Sequence, residues 1–263
     1  MTASAAKREQ VMSLEEALFD YCLRLGDNAL VQGQRLAEWI SNGPTVELDI
    51  ALGNQSLDLF GQARMLLDYA GRVEGQGRSE DDLAYLRDVL DFRNVLLVEQ
   101  PIGDFGETVM RQFLYGNFAS ALYQRLSGSK DEELSGIAQK AVKEMAYHAR
   151  HNGEWVVRLG DGTEESHARA QKGLDTLWPY VHELFAPGAV DLMMADAGLG
   201  IDPSVLKDEW LEDVTAVIER ATLSMPETSW APDGGKQGRH SEHLGFLLAD
   251  LQFMQRAYPG AEW

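Results

Sequence analysis

The sequence predicts an all-α fold: four long helices in a bundle, with additional shorter helices wrapped around it. Three observations carry this. Apolar residues recur at spacings of three and four along most of the chain. Gly, Pro and polar capping residues punctuate the segments between those runs. No hairpin dipeptide stands between alternating apolar and polar runs, so strand signals are almost absent. With 263 residues, 44% of them hydrophobic, the chain can fill a sizeable core. The expected organisation is a disordered N-terminus at 1–12 and a single helical domain at 13–263. The Gly-rich stretch at 71–82 is not a boundary, because neither side would close a core alone.

The elements follow in order. Helix signals begin at Ser13, with Glu15 and Glu16 in the first turn and Leu14, Leu18, Tyr21, Cys22 and Leu25 apolar. The pattern resumes from Asp27 to Ile40 and stops at SNGP (41–44). A second long helix is expected from about Thr45 to Ala70, with Leu48, Leu52, Leu59, Ala63, Leu66 and Leu67 as its apolar stripe. After the charged loop at 71–82, a third helix is expected over Asp82–Val98, stopping before Pro101. A fourth covers Phe105–Leu126. A fifth covers Lys140–Thr163 and ends at a Gly-Asp-Gly break. A sixth runs from there to Phe185, kinked at Pro179. The stretch 189–204 reads as short and broken, and 206–223 as helical again. A loop rich in Pro, Gly and basic residues fills 226–243, and a last helix covers Leu244–Ala257.

Charge and cysteine content narrow the function. There are 42 acidic against 23 basic residues, a net charge of −19. Nucleic-acid affinity comes mainly from Lys and Arg on phosphates, so this balance argues against nucleic acid, and equally against an anionic membrane surface. Cys22 is the only cysteine, which leaves no internal disulfide, thiolate cluster or CxxC pair. The N-terminal residues lack the unbroken apolar core of a signal peptide, and no run reaches the apolar length of a membrane span. The expected location is cytoplasmic.

The chemistry concentrates in the fifth helix. Glu144, His148 and His151 fall at i, i+4 and i+7 among apolar Ala141, Met145 and Trp155. Such a face holds either metal ligands or a buried hydrogen-bond network. The second helix mirrors it, with Asp58 and Gln62 four apart. Two long helices matched in this way suggest a ferritin-like four-helix core. There, Glu-x-x-His on each of two helices and one carboxylate from each of the others hold two irons. This chain fails that pattern. Three residues before His148 stands Met145, and three before Gln62 stands Leu59. Gln32 occupies mid-length on the first helix, and Gly116 the matching depth on the fourth. His148 is the one ligand type left among the six positions. The spacing favours the hydrogen-bond network.

Five stretches carry a resemblance when taken together: LRLGDNALVQGQRLAEW (23–39), LDLFGQAR (57–64), LLVEQPIGDF (96–105), KEMAYHARHNGEWVVRLGDGT (143–163) and GGKQGRHSEHLGFLLADLQFMQR (234–256). Their combination resembles the C-subunit family of bacterial phenylacetyl-CoA epoxidases, multicomponent monooxygenases of aerobic phenylacetate breakdown. The resemblance implies a ferritin-like, structural, non-catalytic subunit with no active centre and no cofactor of its own. It implies a paralogous catalytic A subunit that carries the di-iron centre and binds phenylacetyl-CoA. It also implies a reductase subunit bringing electrons from NADPH through FAD and an iron–sulfur cluster. On this reading Gln32, Leu59, Gln62, Gly116, Met145 and His148 are vestigial metal-site positions.

The resemblance also implies contact with the acyl-CoA held by the partner, around Asp91, Phe92, Arg93 and Asn94 and around Leu192, Met193 and Met194. A Phe can stack on adenine, Arg and Asn can hold phosphate, and Met suits an adaptable apolar contact. The bland alternatives are an exposed Arg on a helix and methionines that fill the core. The basic stretch GGKQGRHSEH (234–243) reads as an anion or partner contact, or as a helix start with Ser241 as N-cap. Asp27 is expected to pair with Arg35 or Arg64 across the bundle. Two other functions stay open: a divergent di-iron oxygenase using Glu38, Asp58, Glu144 and His148 as shifted ligands, and a stand-alone acyl-CoA-binding helical homodimer.

Overall fold

Ser13 starts the bundle. Its hydroxyl accepts the Glu16 N–H, and Glu16 accepts the Ser13 N–H at 2.7 Å, a reciprocal cap that satisfies two otherwise orphaned donors. In the computed structural model, which describes residues 12–261, helix α1 (Leu14–Ala37) then runs unbroken through the expected pause before Asp27. Thr45 caps α2 (Val46–Glu74), which ends on Gly75 at φ +68°, a left-handed stop that favours glycine. The expected disorder at residues 1–12 lies, apart from Met12, outside the described residues. Met12 packs against the core.

The expected third helix does not form in one piece. The chain folds as α3 (Glu80–Tyr85), a single tight turn at Val89–Asp91, an extended stretch, and α4 (Leu96–Glu99). Buried side chains take over its backbone donors. The Arg93 N–H donates to Asp27 at 2.8 Å, the Val95 N–H to Asn28 at 2.8 Å, and the Leu96 N–H to Glu183 at 2.7 Å. Each of these replaces a bond that a helix would otherwise supply.

α5 (Phe105–Leu126) forms over the expected residues, started by a reciprocal cap between Asp104 and Glu107. α6 (Glu132–Gly160) begins earlier than expected, where Asp131 caps it. Pro179 does more than kink the next helix. It separates α7 (Glu164–Leu177) from α8 (His182–Phe185) through a three-residue turn. The stretch expected to be broken holds a regular α9 (Ala189–Ala197), closed by Gly198. α10 (Lys207–Arg220) follows. The last expected helix is split at Gln252 into α11 (Glu242–Leu251) and α12 (Phe253–Ala257). At that break the Gln252 side-chain amide donates to the Ala84 and Arg87 carbonyls, at 3.0 Å each.

The protein is all-α, with a ferritin-like core made by α1, α2, α5 and α6, and no strand among the described residues. α1 packs along α2, and α5 along α6. One continuous apolar cluster runs through all four. Among the described residues no helix is long and apolar enough to cross a membrane.

Asp27 is fully buried and pairs with Arg87, whose Nη1 donates at 3.0 Å and whose Nη2 reaches the other carboxylate oxygen. Neither expected partner is used. Arg35 donates to Glu38 and to the Glu99 and His243 carbonyls, and exposed Arg64 reaches Glu80. Arg87 arrives because the broken segment folds back over α1. Asp27→Ala strands a buried guanidinium and an N–H together, so a loss of about 3–5 kcal/mol is expected in chemical unfolding. Arg64→Ala should stay within about 1 kcal/mol of wild type.

Candidate functional site

Three polar contacts join α2 to α6 in antiparallel order. Asn152 donates to Gln55 at 2.9 Å, His148 Nε2 donates to Asp58 at 3.1 Å, and Gln62 donates to Glu144 at 2.9 Å. They arise because both helices place a polar residue on the shared seam every third or fourth position. His148 is fully buried and hydrogen-bonded, whereas Asp58 keeps about a third of its side chain in solvent.

The face of α6 differs from expectation in detail. Its most buried row is Ala141, Met145, His148 and Asn152, and Glu144 and His151 flank it, half-buried. Burial lowers the His151 pKa below the ordinary histidine value. Tyr147 lies against His151, with ring centroids 5.5 Å apart.

The positions expected to be remnants of a metal site lie inside the bundle. Leu59 and Gln32 are fully buried, and Gln62 and Met145 nearly so. Gly116 is buried too, and a Cβ there would meet the Ala149 nitrogen at 3.4 Å. Several buried polar atoms have no partner among the described residues: both amide atoms of Gln32, Nε2 of Gln55 and of Gln112, and Nδ1 of His148. The set is one of neutral amides, a thioether, aliphatic carbons and a single imidazole, that of His148. A di-iron pair needs four hard, charged oxygens and two imidazoles. The nearby carboxylates are engaged elsewhere, Asp58 by His148 and Glu144 by Gln62. Glu38 sits at the end of α1, bonded to Arg35. These residues do not fit a di-iron pair.

A family model for phenylacetic acid catabolic proteins matches residues 1–263. The chain belongs to that family. The C subunit of the 1,2-phenylacetyl-CoA epoxidase of Escherichia coli (strain K12) is 45% identical over 243 residues, spanning 92% of this chain and 98% of that protein.

In this chain the residues expected near acyl-CoA divide by depth. Asp91 is exposed and Arg93 half-buried, whereas Phe92 and Asn94 are fully buried. Arg87 covers the Phe92 ring at 4.3 Å, leaving that face no room for an adenine. Arg93 Nη1 is held by the Leu90 and Phe92 carbonyls at 2.8 Å each. Leu192 is 45% exposed, Met193 is partly buried, and Met194 fills the core.

The basic stretch at 234–243 is not a free anion contact. His240 is buried, its Nδ1 donating to Glu99 at 2.8 Å and its Nε2 to the Phe92 carbonyl at 3.0 Å. The Ser241 N–H donates to Glu99 at 2.6 Å, but its hydroxyl caps nothing. The Gly234 and Lys236 N–H groups donate to Glu183 at 2.9 and 3.4 Å. Gly235 is required where it stands, since a Cβ would fall 2.2 Å from the Asn94 carbonyl oxygen.

Glu99 and Glu183 thus pin two distant segments to each other, roles that local sequence patterns did not signal. The available hint was an acid inside each of two apolar runs, LLVEQP and VHELF.

Burial works against a charged His240. The hydrogen bond and charge of Glu99, the Phe92 carbonyl and the more distant Asp27 outweigh it and hold the imidazole above its ordinary value. A raised folded-state value contributes stability that is complete below the unfolded value and is lost as pH rises through the folded one. The stability gap between wild type and His240→Gln should therefore be widest near about pH 6 and shrink toward about pH 9 in thermal melts. A gap independent of pH would contradict this protonation. His148→Ala strands the partly exposed Asp58 and opens a cavity. It should lower unfolding stability by about 2–4 kcal/mol, and the melt of that variant checks it.

Proposed function

We propose that this chain is a structural, non-catalytic subunit of a multicomponent 1,2-phenylacetyl-CoA epoxidase. In this role it pairs with a paralogous di-iron catalytic subunit and supports that subunit's fold, assembly and acyl-CoA binding during aerobic phenylacetate breakdown. The carrying observation is the interior of the bundle. Leu59 and Met145 stand where a di-iron helix pair needs acids, Gln62 where it needs a histidine, and polar side chains close on one another across α2 and α6. The name of the Escherichia coli relative, a subunit of an epoxidase, supports the same reading.

Electrons for oxygen activation then belong to a reductase subunit that uses NADPH, FAD and an iron–sulfur cluster, and the chemistry belongs to the catalytic partner. On this reading the chain holds none of these groups itself. Its contribution toward the acyl-CoA runs through the accessible residues of the two expected patches, Asp91 and Arg93 on one and Leu192 and Met193 on the other. Phe92, Asn94 and Met194 support them from beneath.

Co-expression with the catalytic paralogue should yield a stable complex. Epoxidation of phenylacetyl-CoA by that paralogue and its reductase should collapse when this chain is omitted. Full turnover without it would overturn the role.

A further inference from the structure

Far from the polar seam, three tryptophans from three separate segments meet at one cleft of about 250 Å³. Trp178 comes from the turn that Pro179 forces after α7, and Trp210 from α10. Their rings stack at 5.8 Å and 26°. Phe185 of α8 packs on Trp210 at 5.1 Å. Trp230, from the long loop before α11, forms the outer wall and is 58% exposed. That loop is locally shaped: the Thr228 hydroxyl accepts the Trp230 N–H at 3.1 Å, and Tyr180 meets the Trp230 ring edge-on at 5.6 Å.

The charge at this cleft opposes the charge of the chain. The chain has 42 acids among 263 residues, yet among the described residues no Asp or Glu lines the cleft, while Lys207 and His182 do. Both are exposed, and among the described residues neither has an ion-pair partner. An aromatic cleft built only to fill the core would be closed and uncharged. This one is open on one side and carries a lysine ammonium and an imidazole beside indole rings.

We propose that this cleft binds a small aromatic anion: one planar ring held between Trp178 and the exposed Trp230, backed by the buried Trp210, with its carboxylate or phosphate on Lys207 and His182. Aromatic faces attract a flat ring beyond simple area burial, the Lys207 ammonium supplies the charge complement, and the His182 imidazole supplies a second hydrogen-bond donor. Pockets for drug-sized ligands run from about 300 Å³ upward, so the volume suits a single ring with a short acidic arm rather than a whole acyl-CoA. The site is independent of the subunit role above, because no residue of the α2–α6 seam lines it.

An arene carboxylate and an aryl phosphate share this chemistry, and saturation-transfer NMR on the full-length chain separates them. Phenylacetate is titrated beside cyclohexylacetate, which lacks the π face, and 2-phenylethanol, which lacks the charge. Phenyl phosphate is the phosphate arm. Either phenylacetate or phenyl phosphate should bind saturably, and both control compounds more weakly. The tighter of the two identifies the source. Lys207→Gln should weaken that ligand about twofold to fivefold, and Trp230→Ala about threefold to tenfold. Both positions are exposed, so the fold survives. Absence of saturable binding by either ligand up to about 10 mM, equal binding of the control compounds, or unchanged affinity in both variants would overturn the proposal.

Discussion

Asp27 accepts from Arg87 and from the Arg93 backbone while wholly excluded from water. A buried carboxylate is tolerated only when its lone pairs are used, and here using them fixes the path of another segment. Residues 88–101 do not form one continuous helix, because the N–H groups of Arg93, Val95 and Leu96 are held by Asp27, Asn28 and Glu183. The segment is drawn over α1 and turns at α4. There Glu99 takes up Asn94, His240 and the Ser241 N–H. Glu183 does the same from the other side, joining Leu96 to Gly234 and Lys236. The position of the C-terminal loop, and of α11 after it, therefore descends from a few buried acceptors on α1, α4 and α8. Such arrangements do more to define one path for the chain than to add net stability.

The α2–α6 seam uses similar physics for a different end. Ferritin-like bundles with two irons keep a charged, oxygen-rich layer at mid-depth. Here that layer is polar without being a ligand set. Gln32, Gln55, Gln62 and Asn152 are neutral, His148 is turned to Asp58, and Met145 offers a soft sulfur atom. Amides avoid the cost of burying several carboxylates with no cation to offset them. The bundle thereby keeps its polar middle and its register, which suits the structural role proposed for it.

Much of this is legible in the sequence, and the division is physical. Helix α5 is readable from end to end because the Asp104–Glu107 cap and the apolar rows it starts are local. The four-helix core, and the mismatch of Leu59, Gln62 and Met145 with Glu-x-x-His, follow from spacing alone. The broken path at 82–98 is not readable. The groups that break it, Asp27, Asn28 and Glu183, lie dozens of residues away, while its own composition favours a helix. The partner of Asp27 escapes a sequence reading for the same reason. Arg35 and Arg64 look close on a helical wheel, but Arg87 reaches it only because the helix breaks. Phe92 and Met194 carry surface-capable side chains that the fold turns inward. The tryptophan cleft joins residues from three segments, and no single window of sequence contains it.

The most direct test of a bundle whose centre is closed by its own side chains is iron content. The purified wild-type chain would be loaded anaerobically with ferrous iron, desalted and quantified for bound metal. The account predicts far less than one equivalent of iron per chain, unchanged in His148→Ala. Retention of close to an iron pair per chain, lost in that variant, would contradict it.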